Sequence, residues 1–87
     1  MSNLTIVTKL KQVLFLVQKD FSETQKHDIQ TYINVGEWGL ALETLSDFFY
    51  EEELPLLLEA YILLKEIGMM LQMDSKIWKI LKPQIQK

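Results

Sequence analysis

Residues 55–71 read PLLLEAYILLKEIGMML, and this stretch decides how the rest of the chain folds. Thirteen of its 17 residues are Leu, Ile, Met, Ala, Tyr or Pro. On a helix, the side opposite the main apolar face is apolar too, and only Glu59 and Glu66 form a clear polar line. Such a helix is normally central in its domain. We therefore predict a central helix over residues 55–71 whose inward face is formed by Leu57, Ala60, Tyr61, Leu64, Ile67, Gly68 and Leu71.

Pro55 is expected in the first turn of this central helix, because the amide hydrogen that proline lacks has no partner there. A membrane span is the rival interpretation of the stretch. The apolar run is shorter than the ~20 residues that a span requires, and Glu59, Lys65 and Glu66 would be costly in lipid. We therefore expect a core helix and no association with a membrane.

Length and composition predict one domain, residues 1–87. Apolar residues make up 48% of the 87-residue chain, which is ample for a core. There is no Cys, which excludes disulfides and thiolate chemistry. The first residues, MSNLTIVTKLKQ, lack the basic region and long apolar run of a signal peptide, so we expect a cytoplasmic protein.

Charge is distributed unevenly along the chain. Residues 37–66 hold eight acids and one Lys, whereas residues 67–87 hold four Lys and one acid. There is no Arg, the residue most used to bind phosphates and bases in bidentate fashion. An acidic middle without Arg argues against nucleic-acid binding.

Four further helices are predicted by apolar periodicity and end signals. The first spans residues 4–19. The second begins at a capping box of Ser22 and Gln25 and ends before Gly36, which we expect in the left-handed region. The third carries an apolar stripe of Trp38, Ala41, Leu42, Leu45, Phe48 and Phe49.

A short last helix is predicted to be capped by Asp74 or Ser75 and stopped by Pro83. Connections of a few residues favour an antiparallel arrangement, and no stretch alternates over enough residues to indicate a sheet. The predicted fold class is all-α, a compact bundle of about five helices around the central apolar helix, residues 55–71.

Catalytic and metal-binding candidates are weak. His27 is the only histidine, and Ser22 and Ser75 occupy capping positions that explain them. The Gly36-x-x-Gly39 pair lacks the Lys-Ser/Thr of a phosphate loop; a tight turn, with Gly39 allowing close backbone approach, is the better interpretation. We predict no catalytic residue, no metal site and no cofactor.

Acidic residues are the more interesting candidates. Glu43, Asp47 and Glu51 repeat at four-residue spacing on the third helix, where like charges repel by a few tenths of a kcal/mol per pair. An acidic run is usually a solvated face. Its one-sidedness, without an interspersed Lys, favours a basic partner instead.

Residues 35–45, VGEWGLALETL, resemble small helical immunity proteins of the MafI type and those of contact-dependent growth inhibition systems (CdiI-like). A helix ends in Gly, then Glu, an aromatic residue and Gly precede a Leu-Ala-Leu-Glu helix start. The similarity extends more loosely over residues 29–81. Gly36, Trp38 and Gly39 match the motif, and we expect them to serve the fold.

This resemblance implies an inhibitor rather than an enzyme. Such proteins are made beside a secreted bacterial toxin, bind its C-terminal domain in the cytosol and block it. The toxin domain is often a nuclease, and we expect a ribonuclease here, bound in a one-to-one complex. Since ribonucleases need a cationic cleft to hold phosphates, we predict that an acidic helical face occupies it. The predicted partner-binding residues are Glu43, Asp47, Glu51, Glu52, Glu53 and Glu59.

Two other functions stay open from the sequence. A small helical adaptor or regulatory module would bind its partner through an exposed apolar groove, for example along Leu58, Ile62 and Met69. An enzyme would need a pocket that holds coupled carboxylates with shifted pKa values.

Overall fold

Five α-helices and one pair of short strands make up the structure, a computed structural model that describes residues 3–86. The all-α fold class is confirmed, and no helix among these residues is long and apolar enough to cross a membrane. One-turn 3₁₀ helices follow α1 and α5, at Gln18–Asp20 and Lys82–Gln84. The elements are α1 (Asn3–Val17), α2 (Glu23–Asn34), α3 (Trp38–Glu51), β1 (Leu56–Leu57), α4 (Leu58–Met70), α5 (Lys76–Lys79) and β2 (Ile85–Gln86).

The core forms where the apolar stripes of the helices meet. Each predicted stripe supplies buried residues because three- and four-residue spacing keeps them on one side of a helix. Phe21, between α1 and α2, closes one end by packing its ring against Phe48 and Phe49. The buried helical residues include Leu10, Val13 and Val17 of α1, Ile29 and Ile33 of α2, Ala41, Leu42, Leu45 and Phe49 of α3, and Ala60, Tyr61, Leu64 and Ile67 of α4.

Local signals at the ends of α2 act as predicted. The Ser22 hydroxyl accepts a hydrogen bond from the Gln25 amide at 3.1 Å, and the Gln25 side chain accepts from the Ser22 amide at 2.9 Å. At the other end, Gly36 has φ +81°. The Glu37 amide donates to the Tyr32 carbonyl, which completes a Schellman motif and turns the chain into α3.

The same Schellman pattern ends α3 and α4, although no glycine marks either position. Glu53 has φ 50° and Gln72 has φ 56°, both in the left-handed region. The following amides, of Leu54 and Met73, donate back into the last turn of each helix. Both turns are therefore stabilised by hydrogen bonds from the residues that follow, because neither Glu53 nor Gln72 favours the left-handed backbone by itself.

The start of the central helix differs from the prediction. Pro55 lies outside α4, and Leu56 and Leu57 form β1, which pairs in parallel with β2 in the register Leu56 to Ile85. Proline disfavours a helical residue before it, and the strand pairing then holds the next two residues extended. The prediction of a helix from residue 55 and of no sheet is wrong for these residues, and Leu57 is exposed.

The far side of α4 is not covered. Leu58, Ile62 and Met69 are exposed, whereas Ala60, Leu64 and Ile67 on the inward side are buried. The apolar stripe of Leu58, Ile62 and Met69 is therefore left open to solvent by α1 and α5. A chain of 87 residues has too few helices to wrap the central one completely.

Gly68 of α4 provides the closest packing in the core. The Trp78 ring of α5, only 4% exposed, lies directly against it. A Cβ atom at Gly68 would stand 2.1 Å from Trp78 Cζ3, far inside van der Waals contact. At Gly39, where close approach was predicted, a Cβ would meet only the flexible Met73 side chain at 3.6 Å. The glycine that fold packing requires is thus Gly68, not Gly39.

Replacing Gly68 by Ala should lower the free energy of unfolding by about 1–3 kcal/mol, because the buried Trp78 ring must move. The matched control, Gly39→Ala, should leave it unchanged or raise it by up to about 1 kcal/mol, since Ala favours the helix. Urea unfolding followed by circular dichroism measures both. Equal effects of the two substitutions would contradict the packing described for Gly68.

Candidate partner-binding site

A groove of mixed character runs between α3 and the C-terminal segment. It consists of two depressions, of about 690 and 200 Å³, which share Tyr50 and Ile80. These two apolar side chains are 50% and 45% exposed and sit mid-groove. We call this surface the acidic groove; its exposed lining residues are Glu43, Asp47, Tyr50, Glu51, Glu53, Pro55, Lys76, Ile80, Pro83 and Gln86.

Four carboxylates line the acidic groove on the α3 side. Glu43, Asp47, Glu51 and Glu53 are exposed, and no ion pair or side-chain hydrogen bond within residues 3–86 engages them. Lys76 also lines the groove, without pairing with any of them. The groove therefore presents more negative than positive charge, and its carboxylates are free to meet a cationic partner.

The opposite wall of the groove is held in place by hydrogen bonds between the C-terminal segment and residues 46–54. The hydroxyl of buried Ser46 donates to the Ile77 carbonyl at 2.6 Å. The Gln84 amide donates to the carbonyls of Phe49 and Leu54, at 2.6 and 2.9 Å. The Ser46 and Gln84 side chains thereby link α3 and Leu54 to the C-terminal segment, and the Phe49 carbonyl accepts the Leu54 amide as well. The wall is consequently a fixed part of the fold.

The two remaining predicted carboxylates lie elsewhere. Glu52, next to the acidic groove in sequence, accepts a hydrogen bond from the Gln25 side chain at the start of α2. Glu59 lies in a separate depression between α1 and α4. The structure therefore brings together four of the six predicted residues and leaves Glu52 and Glu59 outside the groove.

The depression that contains Glu59 is largely apolar. It comprises two adjoining hollows of about 400 and 340 Å³ that share Gln12, Glu59 and Leu63. Phe15 projects at its edge with 71% of its surface exposed. We call this surface the apolar groove; it is lined by Thr8, Lys11, Gln12, Phe15, Leu16, Leu58, Glu59, Ile62 and Leu63. No residue lines both the acidic and the apolar groove.

The motif residues that carry the family resemblance occupy the α2–α3 turn. Gly36 adopts the left-handed backbone that the turn requires. Trp38 is half-buried, and its Nε1 donates to the Ile33 carbonyl at 3.3 Å, tying the start of α3 to the end of α2. Gly39 is half-buried without a close contact that excludes a side chain. None of the three lines either groove.

Sequence reasoning missed the apolar centre of the acidic groove. Tyr50 follows Asp47 by three residues and Glu43 by seven, so helical spacing could have placed it on the acidic face. Ile80, Pro83 and Gln86 join the groove only through the packing of the C-terminal segment. No local signal indicates that contact.

Convergent ligand sets do not occur in the described part of the chain. Among residues 3–86, no three His, Asp or Glu side chains approach one point closely enough to hold a metal ion. His27 is exposed on α2. The carboxylates of the acidic groove are therefore spread along a surface and do not converge on one point.

Comparison with known proteins gives no assignment: no family model, curated protein or solved structure matches the chain. The resemblance of residues 35–45 to immunity proteins accordingly stays a prediction.

Glycine at either left-handed helix end should stabilise the fold. Glu53→Gly and Gln72→Gly should each raise the free energy of unfolding by about 1 kcal/mol, because only glycine adopts positive φ without steric cost. The reverse change, Gly36→Ala, should lower it by a similar amount, since φ there is +81° and a Cβ would touch no other atom. Denaturant unfolding measures all three; a loss of stability in Glu53→Gly would show that its side chain has a structural role.

Proposed function

We propose that this protein is an inhibitor that binds a basic enzyme domain through the acidic groove, in the manner of a bacterial immunity protein. The observation that carries the proposal is the set of four exposed, unpaired carboxylates, Glu43, Asp47, Glu51 and Glu53, around Tyr50 and Ile80. The target is the C-terminal domain of a secreted toxin, with a ribonuclease as the first class to test. We propose a one-to-one complex in the cytoplasm.

The charge of the acidic groove suits a phosphate-binding cleft as target. An enzyme that cleaves nucleic acid holds phosphates with Lys and Arg, and carboxylates spaced along α3 can occupy those positions in place of phosphates. Opposite charge on the two surfaces also speeds association. The protein itself performs no chemistry in this mechanism; it excludes substrate by occupying the cleft.

Tyr50 and Ile80 supply the net affinity and specificity that the carboxylates alone do not. Exposed carboxylate–lysine pairs contribute little net affinity in water, whereas a central aromatic residue is a common hot spot of protein interfaces. The two side chains sit between the carboxylates, so a bound partner would remove them from water and surround them with ion pairs. This arrangement supports a specific complex rather than a diffuse electrostatic association.

Backbone strain at Glu53 also supports a role for that side chain. A non-glycine residue in the left-handed region destabilises a fold, and Glu53 faces the groove without any internal partner. Gln72 shows the same backbone without lining the acidic groove. Glycine at residue 53 and glycine at residue 72 should therefore change stability equally, whereas only the change at residue 53 removes a charge from the acidic groove.

A second candidate function rests on the apolar groove. Phe15, Leu58 and Ile62 are exposed and could hold an amphipathic helix of another protein, as in a helical adaptor. Such a complex would depend little on salt, whereas the association rate of an acidic-groove complex should fall as ionic strength rises.

Reversing two groove charges should abolish tight binding to the toxin domain. We expect Glu43→Lys/Asp47→Lys to weaken binding by at least about 100-fold, because two lysines would then face a cationic cleft. The control, Asp20→Lys/Glu37→Lys, alters net charge equally at exposed positions outside both grooves and should bind nearly as well as the unaltered protein.

We propose that the toxin is encoded beside this protein, as the family resemblance implies, and the probe is the purified C-terminal domain of that toxin. Surface plasmon resonance gives the rates at several salt concentrations, and growth rescue on co-expression reports inhibition. Glu53→Gly should weaken binding while Gln72→Gly leaves it unchanged. Equal binding by the groove and control variants, or an association rate independent of salt, would contradict the proposed interface.

A further inference from the structure

We infer that the apolar groove is a self-association surface, occupied in solution by a second copy of this chain in a two-fold symmetric dimer. The inference is independent of the proposed inhibitor function, because that function rests on the acidic groove; it is an alternative to the adaptor function, which would use the same apolar groove. Phe15 stands at one edge of the groove with 71% of its surface in water, and Leu58 and Ile62, 53% and 46% exposed, form the other edge. Soluble monomers rarely leave such large side chains grouped in water.

Shape favours a second copy over an unrelated partner. The same surface carries both a projecting aromatic side chain, Phe15, and a hollow of about 400 Å³ beside it. In a two-fold dimer each surface patch meets its own copy, so a projection on the patch needs its receptacle on the same patch. Phe15 of each copy would enter the groove of the other and contact Leu58 and Ile62 there.

Charge is self-complementary in the same way. Lys11 and Glu59 line the same groove, and no ion pair within residues 3–86 engages either of them. By contrast, Lys9 and Glu66, on the same two helices, are already paired at 3.1 Å within one copy. In the two-fold arrangement Lys11 of each copy would face Glu59 of the other, giving two intermolecular ion pairs around the Phe15 contact.

The acidic groove stays accessible in such a dimer, because the two grooves have no lining residue in common. Each dimer would therefore present two acidic grooves. Self-association and partner binding should then be separable by mutation.

Sedimentation equilibrium of the full chain over a range of micromolar concentrations tests the inference directly. We expect a mass approaching twice the 10.3 kDa of one chain. Phe15→Glu should weaken the dimer at least about 30-fold, the loss typical of a central aromatic anchor. The control Leu40→Glu, an exposed apolar residue in neither groove, should leave the mass unchanged.

Charge reversal tests the pairing of Lys11 with Glu59. Lys11→Glu and Glu59→Lys should each weaken the dimer about tenfold by placing like charges opposite one another, and the double variant should recover most of the loss. Circular dichroism confirms that each variant is folded. Three results would overturn the inference: a monomer at all concentrations, a dimer insensitive to Phe15→Glu, or a double variant that dimerises as weakly as the single variants. If the protein is monomeric, the apolar groove belongs to an interface with another protein.

Discussion

The contact between Gly68 and Trp78 is the constraint on which the arrangement of the surface depends. Only a residue without a Cβ atom lets the indole ring approach α4 this closely. Once α5 is docked there, Ile77 comes within reach of Ser46, and the following turn brings Gln84 to the end of α3. The pairing of β2 with β1 then fixes the last described residues. One wall of the acidic groove is therefore a consequence of a single close approach in the core.

The two grooves divide the surface by chemistry. Around the acidic groove, carboxylates without internal partners surround two apolar side chains, a composition that suits a cationic protein surface. Around the apolar groove, Phe15, Leu58 and Ile62 dominate, with one unpaired charge of each sign. For the first composition we propose a partner of opposite charge, and for the second a further copy of the same chain. The second groove is open because α4 is covered on one side only.

Most of the helical framework could be predicted from local sequence. Periodicity placed Leu10, Ile29 and Leu45 in the core, and the Ser22–Gln25 capping box and Gly36 marked the ends of α2. These signals act over three to six residues, so they can be read without knowledge of the fold. The acidic repeat on α3 could be read for the same reason, and it led to three carboxylates of the acidic groove.

Features that depend on distant parts of the chain could not be predicted. The strand pairing at Leu56 requires Ile85, 29 residues further on, and the role of Gly68 requires Trp78. Glu59 belongs to the predicted acidic face, but in the structure it lines the apolar groove together with residues of α1. Ile80 and Pro83 supply apolar surface to the acidic groove. Local sequence patterns predict that they lie in or at the end of a short last helix, but not that this helix packs beside α3.

Amide hydrogen exchange of the complex with the toxin domain tests the central claim most directly, because it reports every backbone segment at once. The account predicts slower exchange in the bound state from Glu43 to Glu53 and from Lys76 to Gln86, the two walls of the acidic groove. Exchange along α1 and the first turns of α4 should be unchanged by the toxin domain. Protection confined to α1 and α4, with the acidic groove exchanging as in the free protein, would contradict the account.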